Sequence, residues 1–190
     1  MTFLVIGLAL FLGIHAVSIV APGWRDATLA RIGEGAWKGG YSLVAGVGLG
    51  LVVLGYGLAR QQPTLLYAPP AGLRHLSLAL MLPVFPLLLA TYLPGRISSA
   101  ARHPMLAATK LWALAHLLAN GTLADVLLFG GFLAWAVADR ISLKRRPQRP
   151  IPGAPPRPAN DAIAVVGGLA LYALFLWRAH AWLIGVSPFG

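Results

Sequence analysis

Six stretches of the chain, residues 3–20, 42–59, 76–92, 105–119, 123–137 and 162–186, are nearly unbroken apolar runs, and Pro, Gly or charge punctuates every gap. In hydrocarbon such a run satisfies its backbone only as a helix, which bonds its amides internally. Since a helix needs about 20 residues to cross a hydrocarbon core roughly 30 Å thick, the 190 residues hold about six spans and leave no room for a large extramembrane domain. With 58% hydrophobic and 11% charged residues, the expected fold class is all-α, a polytopic membrane helix bundle. The first run follows Met1 and Thr2 without a basic stretch and continues into Pro22, Gly23 and Trp24, which reads as a retained span and not a cleaved signal peptide.

The formal net charge of +10 would suggest nucleic acid in a soluble chain. Here it sorts by connection. Arg25, Arg31 and Lys38 follow the first span, Arg96 and Arg102 the third, and Arg140, Lys144, Arg145, Arg146, Arg149 and Arg157 the fifth. The opposite connections hold only Arg60 and Arg74. Cytoplasmic loops are enriched in Lys and Arg, so odd connections are expected in the cytoplasm and both termini in the periplasm of a bacterial inner membrane. The same charge favours anionic lipid headgroups, and no nucleic acid is needed to explain it.

Residues 1–143 read as a five-helix transmembrane core, 144–161 as a basic linker and 162–190 as a final transmembrane helix. The linker, KRRPQRPIPGAPPRPAND, is rich in Pro and bases and nearly free of apolar residues, so it is expected to be a flexible cytoplasmic tether. Gly46 and Gly50 form a small-xxx-small pair in the second span, with Gly48, Gly55 and Gly57 nearby, which lets another backbone approach closely. Pro83 and Pro86 predict a kink in the third.

Ionisable side chains inside apolar runs are costly enough to be functional candidates. These are His15, Lys110, His116, Asp125 and, at the helix entrance of RHP, His103. Pro104 suits a first helical turn. Thr109, Trp112, His116 and Asn120 share one face of the fourth span, and His103 and Lys110 share another. A helix polar on two faces is expected to be covered by its neighbours. His103 and His116 are 13 residues apart, a rise of about 20 Å, so they cannot share one ion on a continuous helix. A two-histidine site needs a second helix, and His15 is the candidate partner, but it lies about 9 Å from the cytoplasmic end of its run against about 20 Å for His116. By depth it matches His103 better. His75, beside Arg74, and His180, among Trp177, Arg178 and Trp182, read as interfacial-belt residues. Glu34 and Lys38 read as a local helix pair, Asp139 and Arg140 as a polar helix end.

Zero cysteines exclude disulfides, thiolate metal sites and Cys nucleophiles. The chain has no GxSxG, HExxH or Walker loop and no paired intramembrane carboxylates. Transport is disfavoured because only one half carries a broken-helix signal.

IHAVS in the first span, GEGAWKGGYSLVAGVGLGLVVLGYGLAR around the second, and RHPMLAATKLWALAHLLANGTLADVLLFGGFLAWAVADR across the fourth and fifth resemble the NnrU family of bacterial inner-membrane proteins. The resemblance implies a link to denitrification, in nitrite and nitric oxide metabolism. It extends to the zeta-carotene isomerases, membrane proteins that hold haem b and isomerise a cis double bond. By this similarity His15 and His116 would be the axial ligands of haem b, with His103 and Lys110 near the cofactor. A hydrophobic small molecule or a gas would be the ligand, and a respiratory enzyme a partner. The isomerases differ between RHP and LAH, where this chain has Lys110, and carry a further charged extension. Two other readings stand beside this one. Membrane isoprenylcysteine-type methyltransferases also start a helix with RHP near an S-adenosylmethionine site, but there RHP is followed by Tyr and later by an acidic pair, where this chain has Met105, Leu106 and ISLKRRP. A non-catalytic assembly protein for respiratory nitrogen-oxide enzymes fits as well.

Overall fold

The computed structural model describes residues 1–147, 149 and 151–189. Among them the regular structure is helical, apart from one isolated bridge between Leu65 and Thr122. The helices are α1 (Thr2–Val20), α2 (Pro22–Ile32), α3 (Glu34–Ala59), α4 (Gly72–Met81), α5 (Val84–Tyr92), α6 (Arg96–Ala101), α7 (Pro104–Ala119), α8 (Leu123–Ser142), α9 (Asn160–Leu174) and α10 (His180–Ile184), with a π-helical turn at Phe175–Ala179 joining the last two. Each of the six apolar runs lies on helix. Four stretches, Thr2–Val20, Glu34–Ala59, Gly72–Tyr92 and Asn160–Ile184, are long and apolar enough to cross a membrane, and Pro104–Ala119 is a shorter apolar helix. The chain is an all-α membrane protein.

It divides into two compact units, Met1–Pro69 with Ala119–Arg146, and Pro70–Leu118 with Pro147–Gly190. Each unit is built from two separate stretches of the chain.

In the first unit α1 packs along α3, through glycines. A Cβ added at Gly7 would meet the Val52 backbone nitrogen at 2.5 Å, one at Gly48 would meet that of Phe11 at 2.7 Å, and one at Gly55 would collide with the backbone of Leu4. Without side chains there, the two backbones approach closely enough for broad van der Waals contact. Gly46 and Gly50, the pair singled out by spacing, have open space where a Cβ would sit. The packed stripe is Gly48 and Gly55, seven residues apart and so two turns along one face. α3 also begins eight residues before its apolar run. Its polar first turns are held by the Glu34–Lys38 pair at 2.6 Å, as the i, i+4 spacing predicts.

α2 was not anticipated, since it lies in what reads as a connection. Pro22 at its start and Gly33 after its end, with φ of 83°, are ordinary helix punctuation. Trp24 packs edge-on against Trp37, and Arg25 sits over the Trp37 ring while pairing with Asp26. A short helix presenting Trp and Arg suits a membrane interface.

In the second unit the expected interruption at the prolines is present, with α4 ending at Met81 and α5 starting at Val84. Pro86 then lies against Gly168 of α9, where a Cβ would strike the Pro86 backbone. The chain between α8 and α9 includes residues 148 and 150, which lie outside the described residues. The following part of the expected flexible tether is bonded to the turn after α5. The Ala154 amide donates to Tyr92 O at 2.8 Å, Asn160 Nδ2 to Pro94 O at 2.8 Å, and the Asp161 carboxylate accepts from the amides of Arg96 and Ile97 at 2.8 and 3.0 Å. Low hydrophobicity makes a segment unable to bury itself, but backbone bonds and a helix cap hold this one locally. Asp161 therefore caps α6, while its own helix has no side-chain cap.

Candidate functional site

The expected site residues fall in both units. His15 is in the first, half-buried on α1. Its Nδ1 lies 2.6 Å from Phe11 O, and its ring is bordered by Phe11, Tyr41 and Trp135 with centroids 4.3, 5.2 and 5.8 Å away. An imidazole nitrogen facing a carbonyl must carry the proton, which leaves the lone pair on Nε2. Beside this ring, α1 and α8 form an apolar groove of about 560 Å³ lined by residues such as Leu8, Leu12, Ala16, Leu127 and Trp135. Trp135 Nε1 is buried there without a hydrogen-bond partner among the described residues.

Asp125 is structural. It is 4% exposed, and its carboxylate accepts from Tyr56 OH at 2.6 Å, Thr122 Oγ1 at 2.6 Å and the Thr122 amide at 2.9 Å. Thr122 Oγ1 in turn accepts from the Asp125 amide, closing the capping box of α8. Asp125 thus finds its donors inside its own unit. In the adjoining loop, burial and then the nearby Asp125 carboxylate push the Tyr67 phenol above the usual tyrosine range. Asp139, read as a plain helix end, pairs with Arg146.

The second unit holds His103, Lys110 and His116, all on or just before α7. Pro104 is the first helical residue, as the RHP spacing predicts, and Arg102 ahead of it has a φ of 58°. Lys110 is half-buried, with no ion pair among the described residues. α7 buries Leu106 and Ala113 on one side and Ala108 and Ala115 on another, so it is covered on two faces as its polar pattern requires. His116 is half-buried. Its Nδ1 lies 2.8 Å from Trp112 O, which leaves its lone pair on Nε2 as for His15, and the Trp112 ring packs at 5.3 Å.

His180, expected in the interfacial belt, has its ring 6.4 Å from that of His116, with the planes 23° apart. Its Nδ1 faces Val186 O at 2.6 Å. Gly185, at φ 77°, turns the chain back so that this carbonyl reaches the ring. The one sequence signal for this placement is a histidine within an apolar helix, among Trp and Arg neighbours. Among the described residues no cluster of three or more His, Asp or Glu side chains could hold a metal ion. The chemistry available is that of imidazole in one or two positions, a donor set that suits haem iron.

No curated protein and no solved structure matches the chain. The family model described as NnrU protein matches residues 3–188, including the basic segment and last helix that carry none of the quoted motifs, so the chain belongs to the NnrU family.

Proposed function

We propose that this membrane protein binds haem b through intramembrane imidazole, with His116 as an iron ligand, and serves nitrite and nitric oxide metabolism in the bacterial inner membrane. The observation that supports this most is the tautomer shared by His15 and His116. Each Nδ1 is committed to the carbonyl four residues earlier, at 2.6 and 2.8 Å. Metal-ligating histidines are characteristically held through their other nitrogen in this way, which fixes the ring and raises the basicity of the donor nitrogen. Neither position is a place where an apolar helix gains from a polar side chain. Haem would supply one-electron redox chemistry and affinity for a diatomic gas. The chain's own part is to orient imidazole and exclude water. The α1/α8 groove gives a hydrophobic small molecule a place beside His15, with the Trp135 N–H as the donor for an oxygen on that molecule. Most of the basic residues face the cytoplasm in this reading, and both termini the periplasm.

The test is an absorption spectrum of detergent-purified protein expressed with ample haem. A Soret band is expected, at least tenfold weaker in His116→Ala at equal protein. A Soret band of unchanged height and position in His116→Ala would remove His116 from the iron. Lys110→Met and His103→Ala are expected to leave the band in place, since His103 lies about 20 Å of helix from His116.

A further inference from the structure

We propose that the cleft between the turn after α5 and the start of α9 binds the phosphodiester headgroup of an anionic phospholipid. This rests on the orientation in which that end of the spans faces the cytoplasm, and not on haem.

Three observations carry it. The first is the charge balance. Arg74, Arg96, Arg102, Lys110, Arg149, Arg157 and Arg178 belong to the second unit, whose one acid is Asp161. The cleft, about 810 Å³ in volume, is lined by Arg96, Ser99, Arg157 and Asp161 among prolines. Asp161 commits its two carboxylate oxygens to the amides of Arg96 and Ile97, at 2.8 and 3.0 Å. Neither guanidinium of the cleft has an ion pair among the described residues. Two such guanidiniums complement a phosphate, whose oxygens accept paired N–H donors from each.

The second is that the cleft is held in shape by its own chain. Arg157 lies on the segment that reads as a tether, yet the Ala154 amide donates to Tyr92 O at 2.8 Å, and Asn160 Nδ2 donates to Pro94 O at 2.8 Å and Pro155 O at 3.1 Å. Pro155, Pro156 and Pro158 fix φ on either side of Arg157. A Cβ on Gly95 would collide with the Asp161 carboxylate, so the glycine lets the turn meet the start of α9. Backbone ordered in advance loses little entropy when a ligand binds.

The third is depth. α5 ends at Tyr92 and α9 begins at Asn160, and each is the end of a stretch long and apolar enough to cross a membrane. The cleft therefore lies where hydrocarbon gives way to headgroups. Just beyond it Ile163, Val165, Val166 and Leu169 of α9 are exposed, an apolar surface for the acyl chains of the same lipid. A soluble phosphate would use the guanidiniums and leave that surface idle. Basic pockets between spanning helices on the cytoplasmic side are a recurrent place for anionic headgroups.

Native mass spectrometry of the detergent-purified full chain tests this, in about 0.15 M ammonium acetate, where exposed charges are screened beyond roughly 8 Å. Phosphatidylglycerol is expected to bind about tenfold or more tightly than phosphatidylcholine, which carries the same phosphodiester beside a cation. Arg96→Gln/Arg157→Gln should abolish that preference, and Arg96→Lys/Arg157→Lys should keep part of it. Lys144→Gln/Arg145→Gln removes the same charge from another exposed basic stretch and should change the preference by less than about twofold. Arg96 and Arg157 are exposed, so their variants are expected to keep the fold. If the double variant loses helix, each single Gln variant carries the same prediction at about threefold. Equal binding of the two lipids by the wild type, or equal loss in the two Gln double variants, overturns the site. Inorganic phosphate is the third probe. If it binds through Arg96 and Arg157 while phosphatidylglycerol shows no preference, the cleft serves a soluble phosphate and the lipid proposal falls. None of these outcomes moves the Soret band, so failure here and failure of the haem reading are told apart.

Discussion

Gly55→Leu is expected to destabilise the protein by about 3 kcal/mol or more, while Gly50→Leu, five residues away on the same helix, changes stability by less than about 0.5 kcal/mol. A Cβ at position 55 meets the backbone of Leu4, which cannot move without displacing α1, and Leu4 is itself fully buried. A Cβ at position 50 meets nothing. The comparison is sharp because both are glycines in the middle of an apolar helix and both changes add the same side chain. Helix propensity therefore favours both variants equally, and the difference between them reads out the contact alone. Unfolding in mixed detergent, followed by circular dichroism, measures it. Equal stability of the two variants would contradict glycine-mediated packing of α1 on α3.

Asp125→Ala carries the second large effect, about 2–3 kcal/mol. Its carboxylate collects three donors, from Tyr56, the Thr122 hydroxyl and the Thr122 amide. Losing it strands buried donors, and stranding is costlier than the net worth of any one bond. Tyr56→Phe removes a single donor and should cost only about 0.5–1 kcal/mol. The double variant should cost less than the two single losses together, because Phe leaves nothing stranded opposite the missing carboxylate. An Asp125→Ala variant that unfolds with the wild type would mean that the network does not hold α3 to α8.

The two glycine sets show how legibility worked in this chain. Hydrophobic runs marked where the helices lie, and four of those stretches are long and apolar enough to cross a membrane, because a period of apolar residues long enough for a bilayer has no competing reading. Which face of a glycine-rich helix meets its neighbour was not legible from spacing, since 46/50 and 48/55 both form stripes and only the partner's backbone decides between them. α2 is not legible from length and apolarity, being short and polar, although Pro22 and Gly33 bracket it. Asp125 was legible as unusual but not as satisfied, because Tyr56 lies 69 residues away in sequence. His116 lies half-buried on a helix covered on two faces, which the polar pattern of that helix makes legible. His180 reads as interfacial because Trp177, Arg178 and Trp182 flank it, and a π-helical turn, which leaves no mark in the hydrophobic period, precedes its contact with His116.

A pyridine haemochrome assay of the purified protein tests the central claim most directly, since it identifies the haem type and counts it against protein. One haem b per chain is predicted for the wild type, falling to less than about a tenth of that in His116→Ala. Well-folded protein that carries no haem after expression and reconstitution with it would contradict the account.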